Sequence, residues 1–252
     1  MKQYSFIISD KKYTINDEKD LELLLKLFYN PFSQISSVIW WNILMEIDSD
    51  LEYIITSYQW LLKCLKYLNE KNSFLFLVKL WDILIHLINN SRELAEILSK
   101  LPDESNKLRL LNILRVKWLK KLLFDAGDLW NILEWLYGKS QKDFIDFLWK
   151  DFVREIFLST NEIIMILHYL SDENKDYVID IIWIQWTKNK IKTSNNFLVM
   201  FKGLTLEKAK ELLKKYTKKE ILRFFKTEED LYEFMIKIPQ NKEKLLLKFL
   251  NN

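Results

Sequence analysis

The feature that most constrains this chain of 252 residues is a period. Phe28, Leu68, Leu101, Leu136, Leu170, Leu204 and Ile238 occupy comparable places, at steps of 40, 33, 35, 34, 34 and 34 residues. Self-similarity at this spacing marks stacked helical pairs, each too small to bury its own apolar face. Eleven residues before each landmark stand Asp17, Ser57, Asn90, Asp125, Ser159, Thr193 and Thr227. All seven carry a side-chain oxygen able to accept an orphan N–H at a helix start. Three residues further on stand Asp20, Trp60, Glu93, Asp128, Glu162, Asn196 and Asp230, five of them acidic, as the first turn of a helix favours.

Positions seven, four, three and zero residues before the landmark are uncharged and apolar, as in Leu129, Ile132, Leu133 and Leu136. That spacing is one face of an α-helix. Pro31, Pro102 and Pro239 fall one or three residues past a landmark, and Gly138 two past. They break the first helix and open a second. The second helix is expected to bury positions near nine, twelve and thirteen after the landmark, as in Ile145, Leu148 and Trp149, or Ile179, Ile182 and Trp183. Thr217 and Glu220 have capping-box spacing and predict a third, short helix before the repeat ends.

Composition agrees. Three glycines and three prolines are too few for a β-sandwich or a nucleotide-binding α/β fold, which need many tight turns. The expected fold is therefore all-α: an α-solenoid of about seven helix-turn-helix repeats over 17–252. Tyr4, Phe6 and Ile8, then Tyr13 and Ile15, alternate with polar residues around a Ser9–Lys12 turn, so a small β-hairpin over 1–16 is expected to cap the first repeat. The long first step places about six extra residues near Asp48–Tyr53. The N-terminus lacks the apolar core of a secretory signal. The longest charge-free run, Leu27 to Met45, holds Asn30, Pro31, Gln34 and serines, and is not a membrane span.

The unit length is that of tetratricopeptide and pentatricopeptide repeats, but their small packing residues are replaced here by Leu, Ile, Trp and Phe. "NNSRELAEILSKLPDESNKLRLLNIL" and "TEEDLYEFMIKIPQNKEKLLLKFL" are similar to tandem helical repeats of some type IV secreted effectors of intracellular bacteria. The resemblance covers roughly Asp17 to Asn252 and rests on leucine spacing. It implies a host-directed interaction protein and carries no catalytic residue with it. A cytoplasmic location, or delivery into a host cell, follows as the expectation.

No residue group carries an enzyme signature. Cys64 replaces Leu or Ile at an inward position, so it reads as core filler. His168 lies on a polar flank, and His86 reads as packed or at a rim. Two isolated histidines and one cysteine make no metal site, and no cofactor is implied. Dispersed glycines form no phosphate loop.

Two features point to binding. Trp41, Trp81, Trp149 and Trp183 all lie thirteen residues past a landmark, which suggests a repeated core role. Tyr67, Trp135 and Tyr169 each precede a landmark directly. They either pack against neighbouring helices or form an aromatic ladder that anchors a partner. Charge is segmented: Asp125–Gln185 carries twelve acidic and five basic residues, Thr187–Lys226 twelve basic and three acidic. The basic block holds a single arginine, Arg223, and lysine lacks the planar fork that reads bases. An acidic protein partner is therefore expected, steered by Lys208, Lys214, Lys215, Lys218 and Lys219, with anionic lipid headgroups as another fit and nucleic acid disfavoured. A nucleic-acid-binding helical repeat and an enzyme with an unrecognised site are the alternatives to a non-catalytic scaffold.

Overall fold

The structure is a computed structural model; it describes residues 4–8, 11–27, 43, 54–157, 159–182, 188–189 and 191–251. Among these residues the fold is all-α, with seventeen helices and one two-stranded antiparallel sheet. The extra residues expected near Asp48–Tyr53, and Phe28, Pro31, Trp41 and Trp183, lie outside the described residues.

The chain divides into two compact units, Met1–Leu122 and Leu123–Asn252. In the first, strands β1 (Tyr4–Ile8) and β2 (Lys11–Ile15) pair with Tyr4 opposite Ile15 and Ile8 opposite Lys11. Strand β2 packs on α1 (Glu18–Leu27), burying Ile15 beside that helix. Then follow α2 (Tyr58–Tyr67), α3 (Glu70–Lys79), α4 (Trp81–Leu87), α5 (Ser91–Ser99), α6 (Glu104–Leu114) and α7 (Val116–Leu122). Helix α1 packs on α2 and α3 packs on α6, while the Tyr58 hydroxyl joins α2 to α5 by donating to the Glu96 carboxylate at 2.7 Å.

The second unit holds α8 (Ala126–Leu133), α9 (Lys139–Leu148), α10 (Lys150–Ile156), α11 (Thr160–Tyr169), α12 (Asp172–Ile182), α13 (Ser194–Gly203), α14 (Leu206–Leu213), α15 (Lys218–Leu222), α16 (Glu228–Lys237) and α17 (Gln240–Asn251). First helices pack in series, α8 on α11, α11 on α13 and α13 on α16. Second helices do likewise, α9 on α12 and α14 on α17.

Every expected cap forms. Ser57, Asn90, Asp125, Ser159, Thr193 and Thr227 each accept from the backbone N–H three residues ahead. Asp17 accepts from both Lys19 and Asp20. The acidic residue at the third position returns the bond. Glu162 and Asp230 accept from the N–H of Ser159 and Thr227, and Asp20, Glu93 and Asp128 from the residue before the cap. The inward stripe is buried in every described repeat, with Leu231 alone half-exposed. Cys64 is buried in that stripe.

The third helix recurs more often than expected: α4, α7, α10 and α15 all follow a second helix. This corrects the tryptophan reading. Position thirteen lies at or beside the break between second and third helices, where Leu114 is buried and Trp81 half-buried but Trp149 stands outside the core. Trp149 stands between α9 and α10 with φ 69° and is 64% exposed. Arg115 takes φ 64° at the equivalent break between α6 and α7, its guanidinium 5.5 Å from the Trp81 ring. A side chain at positive φ is strained.

Two outcomes follow. Ala at Asp125, Ser159, Thr193 or Thr227 is expected to lower stability by about 1 kcal/mol in denaturant titrations. Trp149→Gly is expected to be about 1 kcal/mol more stable than Trp149→Ala, since only glycine adopts that φ freely.

Candidate binding surface

The aromatic residues differ in setting. Tyr67, in the first unit, is half-buried, with the Lys66 ammonium 5.8 Å from its ring. In the second unit Trp135 is half-buried just past α8, and Tyr169 at the end of α11 is 47% exposed. The Tyr169 ring lies 5.2 Å from that of Trp130, on α8, and 5.0 Å edge-on from that of His168. Tyr169 thus both packs across adjacent first helices and shows nearly half its surface. Trp130 is a member of this cluster that the sequence did not single out. Its indole N–H is buried with no acceptor among the described residues.

The lysines separate into two groups. Lys208 is not a free steering charge. It sits on the inward side of α14, only 9% exposed, and its ammonium binds Asp180 at 2.5 Å and Glu211 at 3.1 Å. Burial opposes its charge, yet the hydrogen bonds to Asp180 and then Glu211 hold its pKa above the ordinary lysine value. Lys214, Lys215, Lys218 and Lys219 are exposed, and among the described residues none is ion-paired. Lys214 and Lys215 form the turn after α14, and Lys218 and Lys219 open α15. Lys218 and Lys219 line one open depression with Arg223 and the half-exposed Leu222. Leu222 and Arg223 are additions to the expected patch.

Helix α15 is anchored from below. Thr217 and Glu220 complete its capping box, and the Lys188 ammonium reaches both Glu220 at 3.1 Å and the Lys215 carbonyl at 2.5 Å. The Thr217 N–H first, and Lys188 next, hold the Glu220 carboxyl below the usual range. Since the folded value is depressed, this contribution is present above the unfolded pKa, about 4.3, and is lost as pH falls through the folded one.

A buried polar position, unforeseen from the sequence, ties consecutive repeats. Four residues past the landmark stand Asn72, Ser140, Asn174, Lys208 and Lys242, all buried, while in the third repeat Ser105 is exposed and Lys107 is buried instead. In the second unit three of these reach back to the preceding repeat. The Asn174 amide donates to the Gly138 carbonyl at 2.7 Å and to Gln141 at 3.0 Å. Lys208 reaches Asp180 on α12. The Lys242 ammonium donates to the carbonyls of Lys202, at 2.7 Å, and Leu204, at the end of α13, where a helix presents its negative pole.

Among the described residues no group of His, Cys, Asp and Glu could hold a metal ion, and no helix is long and apolar enough to cross a membrane. His86 and His168 are both exposed. In the first unit, α3 and α6 border a cleft of about 540 Å³ between Phe74 and Arg109, with the guanidinium 4.9 Å from the Phe74 ring. Comparison with known proteins finds no matching family model, no matching curated protein and no matching solved structure.

Two titrations test this assignment. Lys242→Met is expected to cost about 1–3 kcal/mol by leaving carbonyls of α13 unsatisfied, whereas Lys214→Met stays within about 0.5 kcal/mol. In an NMR acid titration, the Glu220 carboxyl is expected to protonate below the usual glutamate range, and Lys188→Met to move it upward.

Proposed function

We propose that the chain is an α-solenoid of about seven repeats, counted along the sequence, that serves as a non-catalytic scaffold for an acidic protein partner. The observation that carries this reading is the cluster of Lys214, Lys215, Lys218 and Lys219 around α15. Four exposed ammonium groups, none ion-paired among the described residues, stand beside an apolar residue, Leu222, and a planar guanidinium, Arg223. Arg and an exposed leucine supply short-range contacts, while the lysines supply long-range attraction. Trp135 and Tyr169, in the same unit, are the proposed aromatic anchors. Lys208 is left out, because its charge is already committed to Asp180 and Glu211. The resemblance to repeats of type IV secreted effectors supports a host-directed role, with delivery into a host cell as the proposed location.

Exposed charges act mainly on encounter, so the expected signature is a salt-dependent on-rate. With polyglutamate as the probe in surface-binding kinetics, Lys218→Glu combined with Lys219→Glu is expected to slow association by roughly tenfold at low salt. Parallel arms with anionic vesicles and with single-stranded RNA distinguish the other polyanions. An on-rate indifferent to salt and to charge reversal contradicts the reading. So does stronger binding to RNA than to the acidic polypeptide, or a turnover reaction abolished by a point substitution.

A further inference from the structure

The last repeat differs from the others in what it leaves uncovered. Nine residues past the landmark, Leu77, Leu110, Ile145, Ile179 and Leu213 are all buried, but the corresponding Leu247 is 43% exposed. Seven before the landmark, every counterpart is buried, but Leu231 is half-exposed. Six before, Trp130, Ile164 and Leu198 are half-buried, but Tyr232 is 69% exposed, and Ile236, one turn on, is exposed as well. In the second unit each first helix packs on the next first helix, and α14 packs on α17. Leu231, Tyr232 and Leu247 occupy positions that the earlier repeats cover wholly or in part, and Ile236 adds an apolar side chain where the second unit's earlier repeats expose Glu134, His168 and Lys202. They form an apolar strip made for a helix pair of the same kind.

Charge says which helix pair. The strip on α16 is flanked by Glu229 and Glu233, and that helix carries four carboxylates against Lys237 alone, whose ammonium lies 3.3 Å from Glu233 in an exposed pair that screens little of the helix's negative charge. The strip on α17 is flanked by Lys244 and Lys248, and that helix carries three lysines against Glu243 alone. An acidic helix beside a basic one is self-complementary. A two-fold axis passing between them sets α16 against α17 of a second copy, apolar strip on apolar strip and carboxylates on ammonium groups. Closed pairing of this kind uses the same surface twice and stops at two. We infer that a second copy of this chain docks on the α16–α17 face, pairing Glu229 and Glu233 of each copy with Lys244 and Lys248 of the other around Leu231, Tyr232, Ile236 and Leu247.

The face lies outside the lysine patch of α15, so the two proposals fail separately. Sedimentation equilibrium of the full chain is the test, with circular dichroism confirming helicity in each variant. The expected result is a concentration-dependent species of twice the 30.7 kDa chain mass. Leu247→Glu, at an exposed site, is expected to abolish it. Glu229→Lys with Glu233→Lys is expected to weaken association by about tenfold, and adding Lys244→Glu and Lys248→Glu in the same chain to restore it. Restoration is expected only if the two helices face each other across copies. A monomer at every concentration overturns the inference. A dimer indifferent to Leu247→Glu, or a fourfold reversal that restores nothing, overturns it equally.

Discussion

A side-chain oxygen bound to the backbone N–H three residues ahead is the interaction on which the rest of this fold depends. It recurs at Asp17, Ser57, Asn90, Asp125, Ser159, Thr193 and Thr227. Helices of about ten residues are marginal alone, because nucleation is costly and the first four N–H groups are orphaned. A cap at the start sets the helical phase, and phase decides what is buried. With the cap in place, residues four, seven, eight and eleven further on point the same way, and the inward leucine stripe follows. Where an acidic side chain returns the bond, the chain entering the helix is held as well. The unit is thereby specified before it meets its neighbours.

Neighbours are joined by a second device. Apolar stripes give adhesion without register, since one leucine packs much like another. The buried polar residue four past the landmark adds direction, because an unmet hydrogen bond there is costly. Lys242 meets the final carbonyls of α13, Asn174 meets Gly138, and Lys208 meets Asp180. Each link ties one repeat to the one before it, and within the second unit they hold α9 to α12, α12 to α14 and α13 to α17. The surface lysines around α15 stand on this framework through Lys188, which clasps both the preceding turn and the helix cap.

What the sequence revealed and concealed follows from range. The caps, the stripe, the elbows at Pro102, Gly138 and Pro239, the N-terminal hairpin and the third helix at Thr217 are all set by residues within a few positions of one another. Their periodicity makes them readable. Trp149 was misplaced because its recurrence at position thirteen suggested a core role, whereas the chain turns there with positive φ and carries the indole outward. Lys208 was misplaced because a lysine-rich block suggests a solvated face, and only tertiary packing brings Asp180 to it. A signal did exist: a polar residue recurs at Asn72, Ser140, Asn174, Lys208 and Lys242 on an otherwise inward face. Leu222 and Arg223 gave none, since their joining of Lys218 and Lys219 depends on how the short α15 projects.

The central claim is that one capped helical unit repeats along the chain. It is most directly tested by native-state hydrogen exchange at the seven N–H groups bonded to the caps, those of Asp20, Trp60, Glu93, Asp128, Glu162, Asn196 and Asp230. First-turn amides ordinarily exchange fast, having no intrahelical acceptor. The account predicts protection at all seven, recurring with the repeat and lost at one position when its own cap is replaced by alanine. Exchange at unprotected rates across these amides, or protection indifferent to the cap substitution, would contradict it.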